Sequence, residues 1–125
     1  MNKTAIVILS DPKNGGDEAL GRVFNGLVAA YDIKQSGGDV SVIFQGAGTR
    51  WISYITQADH PVHGLYKALK ENIAGVSCGC ADVFGATEDA KSNGFELITE
   101  CSVPGTSGLP SVWQKLQSGA TILTF

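Results

Sequence analysis

No apolar run in this 125-residue chain approaches the ~20 residues that a membrane-crossing helix needs. Cysteine is scarce: three residues, an odd number and too few for a secreted disulfide scaffold. A reducing cytoplasm is the expected location, where free thiols stay available for chemistry. Positive charge is also short. Nine Lys and Arg stand against twelve Asp and Glu, for a net charge of −3. That balance leaves no broad basic face for direct contact with nucleic acid or an anionic membrane. Repeats, linkers and low-complexity tracts are missing, and the opening "MNKTAIVILSDP" lacks a small-residue cleavage site, so it reads as a first strand rather than a signal peptide.

What is present suits one globular domain over residues 1–125. The composition is 43% hydrophobic and 17% charged, and a chain of this length buries roughly two-thirds of its unfolded surface. The β-branched runs Lys3–Leu9 and Asp39–Gln45 read as strands covered on both faces. Between them, Leu20, Val23, Phe24, Leu27, Val28 and Tyr31 recur at helical spacing, predicting a helix over Asp17–Ser36 stopped by Gly37 and Gly38. Short helices are expected over Arg50–Ile55 and from Asp59–Pro61 onward. Strands are expected at Ile73–Ser77, Phe95–Ile98 and Ala120–Phe125, and further helices at Ala81–Ser92 and Leu109–Gln117. Strands alternating with helices imply parallel crossovers: a three-layer α/β/α fold with a mostly parallel sheet of about five strands.

In such sheets ligands bind beyond the carboxyl ends of the strands. Four loops gather on that rim: Ser10–Gly16, Gln45–Arg50, Cys78–Cys80 and Cys101–Gly108. The last contains "SVPGTSG" and reads first as a mobile lid or loop, with anion binding by Gly105-Thr106-Ser107-Gly108 as the alternative. The stretch "VSCGCADVFG" puts two thiols on the rim, at a strand-to-helix junction. Unpaired N–H groups at the start of a helix favour the thiolate, the reactive form. Cys80, just ahead of the expected helix, is the first candidate nucleophile and a candidate cap, and Cys78 is its partner or substitute. Gly79 leaves room for an approaching partner. The bland alternative is that both are small packing residues. Cys101 reads as packing, and Asp82 as part of a solvated helix face that opposes a nearby thiolate.

Other features carry weaker signals. Gln45-Gly46-Ala47-Gly48-Thr49-Arg50 permits close backbone approach, and Arg50 suits an anion. It lacks the lysine of a P-loop and the third glycine of a dinucleotide fingerprint. Ser10, Gln45, Gly46, Gly48, Arg50 and Gly79 are the candidate pocket residues. Ser10–Gly16 is poorly equipped to cradle a flavin phosphate. His60-x-x-His63 and Cys78-x-Cys80 mimic a zinc set in composition but not in spacing. No metal or other cofactor is expected. Trp51 and Trp113 read as core, with a subunit interface as the alternative.

The order of elements resembles the DsrE/DsrF-like family, which includes YchN-like proteins and sulfur-relay subunits. The similarity spans most of the chain: the passage from "KTAIVIL" to "SVIFQGAG", the cysteine stretch ahead of Gly85, and the terminal "LQSGATILTF". The resemblance implies a small α/β/α domain forming a homo-oligomer, a trimer or a hexamer. It further implies sulfur held as a cysteine persulfide and exchanged with sulfur donor and acceptor proteins, with neither metal nor flavin. Cys80, five positions before Gly85, matches the second cysteine of the two-cysteine members, and Cys78 falls nearer the position used by the relay members. A second reading is a non-catalytic oligomeric binding or scaffold module with structural cysteines.

Overall fold

Five short strands build the centre of the computed structural model, which describes residues 2–125. They are β1 (Lys3–Ile8), β2 (Asp39–Phe44), β3 (Ile73–Ser77), β4 (Leu97–Ile98) and β5 (Thr121–Thr124). All pair in parallel, in the spatial order β4-β3-β2-β1-β5. Six helices connect them: α1 (Gly16–Gln35), α2 (Ile52–Ile55), α3 (His63–Leu69), α4 (Cys78–Phe84), α5 (Thr87–Ser92) and α6 (Val112–Gln117). The fold is a three-layer α/β/α sandwich.

The topology makes the two outer layers unequal. The steps from β1 to β4 all move in one direction, so right-handed crossovers put α1 to α5 on one face. Only the step from β4 to β5 reverses, placing α6 on the other. On the first face Ile6, Ile8, Val40, Val42, Phe44 and Val76 form one apolar cluster with α1, α3 and the segment Trp51–Ile55. Each fully buried Ile, Leu or Phe there contributes about 1.5–3 kcal/mol. Ala5, Val7, Ile43 and Ile98 are buried as well but lie outside that cluster, on the second face. The helix over that face is thin. Val112, Trp113 and Leu116 of α6 are 53%, 66% and 51% exposed, so Trp113 is not a core residue.

Helix α1 buries a different stripe from the expected one. Ala19, Val23, Gly26, Leu27 and Ala30 face the sheet, and small residues there allow close helix–sheet approach. Phe24, Val28 and Tyr31 are left flanking and partly exposed. The expected helix over Ala81–Ser92 is two helices. Gly85, in the left-handed conformation, caps α4, and α5 starts afresh at Thr87. The expected helix over Leu109–Gln117 starts only at Val112, because the Ser111 hydroxyl accepts the Gln114 N–H as its cap. Residues 46–51 are a 3-10 turn leading into α2.

Both histidines hold this α2–α3 corner together. His60 Nδ1 accepts the Val62 N–H at 3.1 Å, and its ring meets Trp51 and Tyr54 edge-on. His63 Nδ1 lies 2.8 Å from the Ile55 carbonyl, so that nitrogen carries the proton. Burial pushes the His60 pKa down, Asp59 pulls it partly back up, and His63 adds to the lowering. The unfolded chain therefore takes up a proton before the folded one does. Stability is complete above the ordinary histidine value of about 6.5 and falls as pH drops from there through the lower folded value. Urea midpoints should decline between about pH 7.5 and about pH 5.5 in the wild type. They should decline less in His60→Gln, and an equal decline in both proteins would remove His60 from the account.

Candidate functional site

Ser77 ends β3 and starts α4. Its hydroxyl accepts the Cys80 N–H at 3.4 Å, so the helix begins at Cys78 and not at Ala81. This corrects the expectation that Cys80 stands ahead of the helix as its cap: Ser77 is the cap and both cysteines lie within the first turn. The Gly79 N–H is also taken, by the Gly108 carbonyl at 2.7 Å. Two first-turn donors expected to face a sulfur anion are thus already satisfied within the protein.

The loop that delivers Gly108 is built rather than slack. Val103-Pro104-Gly105-Thr106 has the pattern of a type II turn, with φ of 79° at Gly105 and the Thr106 N–H donating to the Val103 carbonyl at 3.1 Å. Thr106 Oγ1 donates to the same carbonyl and accepts the Gly108 N–H. At its base, Cys101 and Leu109 exchange two backbone hydrogen bonds. A Cβ on Gly79 would meet Leu109 and the Gly108 carbonyl, at 2.9 and 3.0 Å. The glycine between the cysteines therefore admits this strap of the protein itself.

The tip of the strap reaches Cys78. Ser107 Oγ lies 3.2 Å from Cys78 Sγ and donates to Asp82 Oδ2 at 2.6 Å. The other carboxylate oxygen of Asp82 accepts the Thr87 hydroxyl at 2.7 Å. Cys78 and Asp82 are four apart on α4, so they share a helix face. Hydrogen bonds from Ser107 and then Thr87 hold the Asp82 carboxyl below its ordinary range; Lys91 adds to this, and together they outweigh burial. Gly79, Asp82, Val83, Gly105, Thr106 and Ser107 line an open cavity of about 420 Å³ beside this group.

Cys78 and Cys80 do not face each other. Two positions along a helix are about 200° apart around its axis. Both are half-buried, and Cys101 is exposed. Cys80 turns toward the side of Phe84, four residues on, where Arg50 sits. The Arg50 guanidinium lies over the Phe84 ring, its Nε donates to the Phe84 carbonyl at 3.2 Å, and Nη1 pairs with Asp11 at 3.1 Å. Burial pushes the Asp11 carboxyl up, but Asn14, the Lys13 N–H and Arg50 together hold it below its ordinary value.

Of the candidate pocket residues, only Gly79 lines the cavity near Cys78. Ser10 is a strut: its hydroxyl donates to the Ala19 carbonyl, and its own carbonyl accepts the Trp51 indole N–H at 2.9 Å. Gln45 closes onto β1 by donating its N–H to the Ile8 carbonyl, and accepts the Gly48 N–H. Gly46 has a positive φ, and its carbonyl accepts the buried Thr49 hydroxyl. Gly48 lies flat against Ile8 and Leu9. Residues 45–51 therefore brace the ends of β1 and β2. Thr87 carries no signal in the sequence, and Ser107 stands out only as part of Gly105–Gly108; Asp82 is exposed, as its helix position suggests, but its contacts with both hydroxyls are not legible there. Only the V-P-G-T turn signal hinted that the strap would return to a fixed place.

Among the described residues, no helix is long and apolar enough to cross a membrane, and no group of three His, Cys, Asp or Glu is placed to hold a metal ion. No protein-family model matches the chain, and no curated protein or solved structure matches it either.

Proposed function

We propose that the protein is a cytoplasmic sulfur carrier or sulfurtransferase-like protein that holds sulfur as a persulfide on Cys78. The observation that carries this reading is a half-buried thiol on the carboxyl-end rim of a parallel sheet, in contact with Ser107, which itself lines an open cavity. Cys80, the alternative carrier, faces the Arg50 side, and among the described residues no comparable polar partner engages its sulfur. The fold is compatible with the resemblance to DsrE/DsrF-like proteins, from which the persulfide role is taken.

The transfer conserves atoms and electrons. The Cys78 sulfur attacks the terminal sulfur of a donor persulfide, RS–SH. The donor S–S bond breaks as the new one forms, giving Cys78–S–SH and RSH, with the proton of Cys78 ending on the released thiol. No external oxidant or reductant enters. Incubation with glutathione persulfide, followed by intact-mass measurement and peptide mapping, should place one added sulfur on Cys78. Absence of sulfur from both Cys78 and Cys80 ends the proposal.

A second reading, an oligomeric binding or scaffold module with structural cysteines, is favoured by apolar side chains left in solvent. Phe24, Val28 and Tyr31 form a stripe along α1, and Val112, Trp113 and Leu116 stand out on α6. A homo-oligomer, trimer or hexamer, is expected on either reading. Light scattering at micromolar concentration should report it, and Trp113→Asp or Val28→Asp should dissociate it. A wild-type monomer would remove the oligomer from both readings.

A further inference from the structure

We infer that Asp82 controls the reactivity of Cys78 by claiming the single proton of Ser107; the relevance of this to sulfur transfer rests on the carrier reading above. A serine hydroxyl has one hydrogen and two acceptor lone pairs. Ser107 Oγ stands 2.6 Å from Asp82 Oδ2 and 3.2 Å from Cys78 Sγ. An ionised carboxylate only accepts, so the short contact takes the proton. The longer contact is then satisfied by the Cys78 S–H donating to Ser107 Oγ. The chain runs from thiol to hydroxyl to carboxylate, and Thr87 fixes the far end by donating to Asp82 Oδ1.

This arrangement leaves a sulfur anion at position 78 without a hydrogen-bond donor from the strap. Ionised Cys78 would need a donor, and Ser107 cannot serve sulfur and carboxylate at once. The nearest first-turn N–H groups are already bound to Gly108 and Ser77. Cys78 is therefore held in a resting state by the contact between Ser107 and Asp82. In Asp82→Asn the amide can donate to Ser107 Oγ, leaving the serine proton for Cys78. The charge of Lys91, which acts on Asp82, stays in place.

The test is the peptide-resolved rate of Cys78 alkylation by iodoacetamide in the full chain at neutral pH, read beside the ultraviolet absorbance of the thiolate. Asp82→Asn should accelerate Cys78 by about fivefold, the worth of one exposed hydrogen bond. Asp82 is exposed, so the substitution leaves the fold intact. Ser107→Ala/Asp82→Asn should react no faster than Ser107→Ala alone, because the route through the hydroxyl is gone. Ser107→Thr should restore wild-type behaviour. An unchanged rate in Asp82→Asn overturns the inference. So does an equal gain with and without Ser107, which would make Asp82 a charge acting through space. Alkylation needs no sulfur donor, so the two ideas fail separately. A Cys78 that follows this pattern yet never gains sulfur refutes only the carrier reading. A Cys78 that gains sulfur but ignores Asp82 refutes only this inference.

Discussion

Cys78→Ser is expected to reduce persulfide loading at position 78 to background while leaving the fold unchanged. A hydroxyl can replace the thiol as hydrogen-bond partner of Ser107, so the strap keeps its contact. It cannot become an effective sulfur nucleophile at neutral pH, where the thiolate is the attacking form. Cys80→Ser should retain loading, because Cys80 points about 200° away around α4. Thermal unfolding and circular dichroism of both variants should match the wild type, separating lost chemistry from lost structure. Loading that survives Cys78→Ser but vanishes in Cys80→Ser would transfer the carrier role to Cys80. Survival in Cys78→Ser/Cys80→Ser would leave Cys101, exposed at the base of the strap, as the source.

Gly48→Ala should cost about 3 kcal/mol of stability, the upper range for forcing an extra carbon into a packed site. A Cβ at position 48 would run into the Ile8 carbonyl oxygen, with the Ile8 carbonyl carbon at 2.8 Å and Leu9 Cα at 3.2 Å. All three are backbone of β1 and the residue after it, so no rotamer change relieves the clash. The same carbonyl accepts the Gln45 N–H, and shifting it also disturbs the buried Thr49 and Trp51. Chemical denaturation should show the midpoint falling with the slope preserved. Gly21→Ala, where nothing lies within 4 Å of the new carbon, is the control and should be neutral or slightly stabilising. Near-wild-type stability in Gly48→Ala would return residues 45–50 to the role of a pliable ligand loop.

How far the sequence was readable depended on how local each signal was. β1 and β2 showed in their β-branched runs because both faces of those strands are covered along most of their length. α1 showed in its 3.6-residue period, although its buried stripe was misplaced: the pattern favoured Phe24, Val28 and Tyr31 over the alanines and glycine that touch the sheet. Helix starts were less readable. Ser77 and Ser111 act as caps only because chain direction brings their hydroxyls onto the N–H groups of Cys80 and Gln114. Cys78 was visible as a candidate, but its neighbourhood was not. Ser107 is 29 residues from Cys78 and 25 from Asp82, and no periodicity relates such positions. Arg50 invited an anion reading because its partners, Asp11 and the Phe84 carbonyl, come from segments 39 and 34 residues away.

The strand order has a consequence for how the chain emerges from the ribosome. β1 is made first, yet one of its two flanks stays bare until residues 121–124 have been translated, because β5 alone pairs there. β2, β3 and β4 can be added one after another on the other side as they appear. Until β5 is in place β1 thus carries an open hydrogen-bonding edge beside Ile6 and Ile8, the kind of template on which a stray strand of another molecule can settle. Closure of the sheet therefore waits on β5, the strand most distant in sequence from the one it completes.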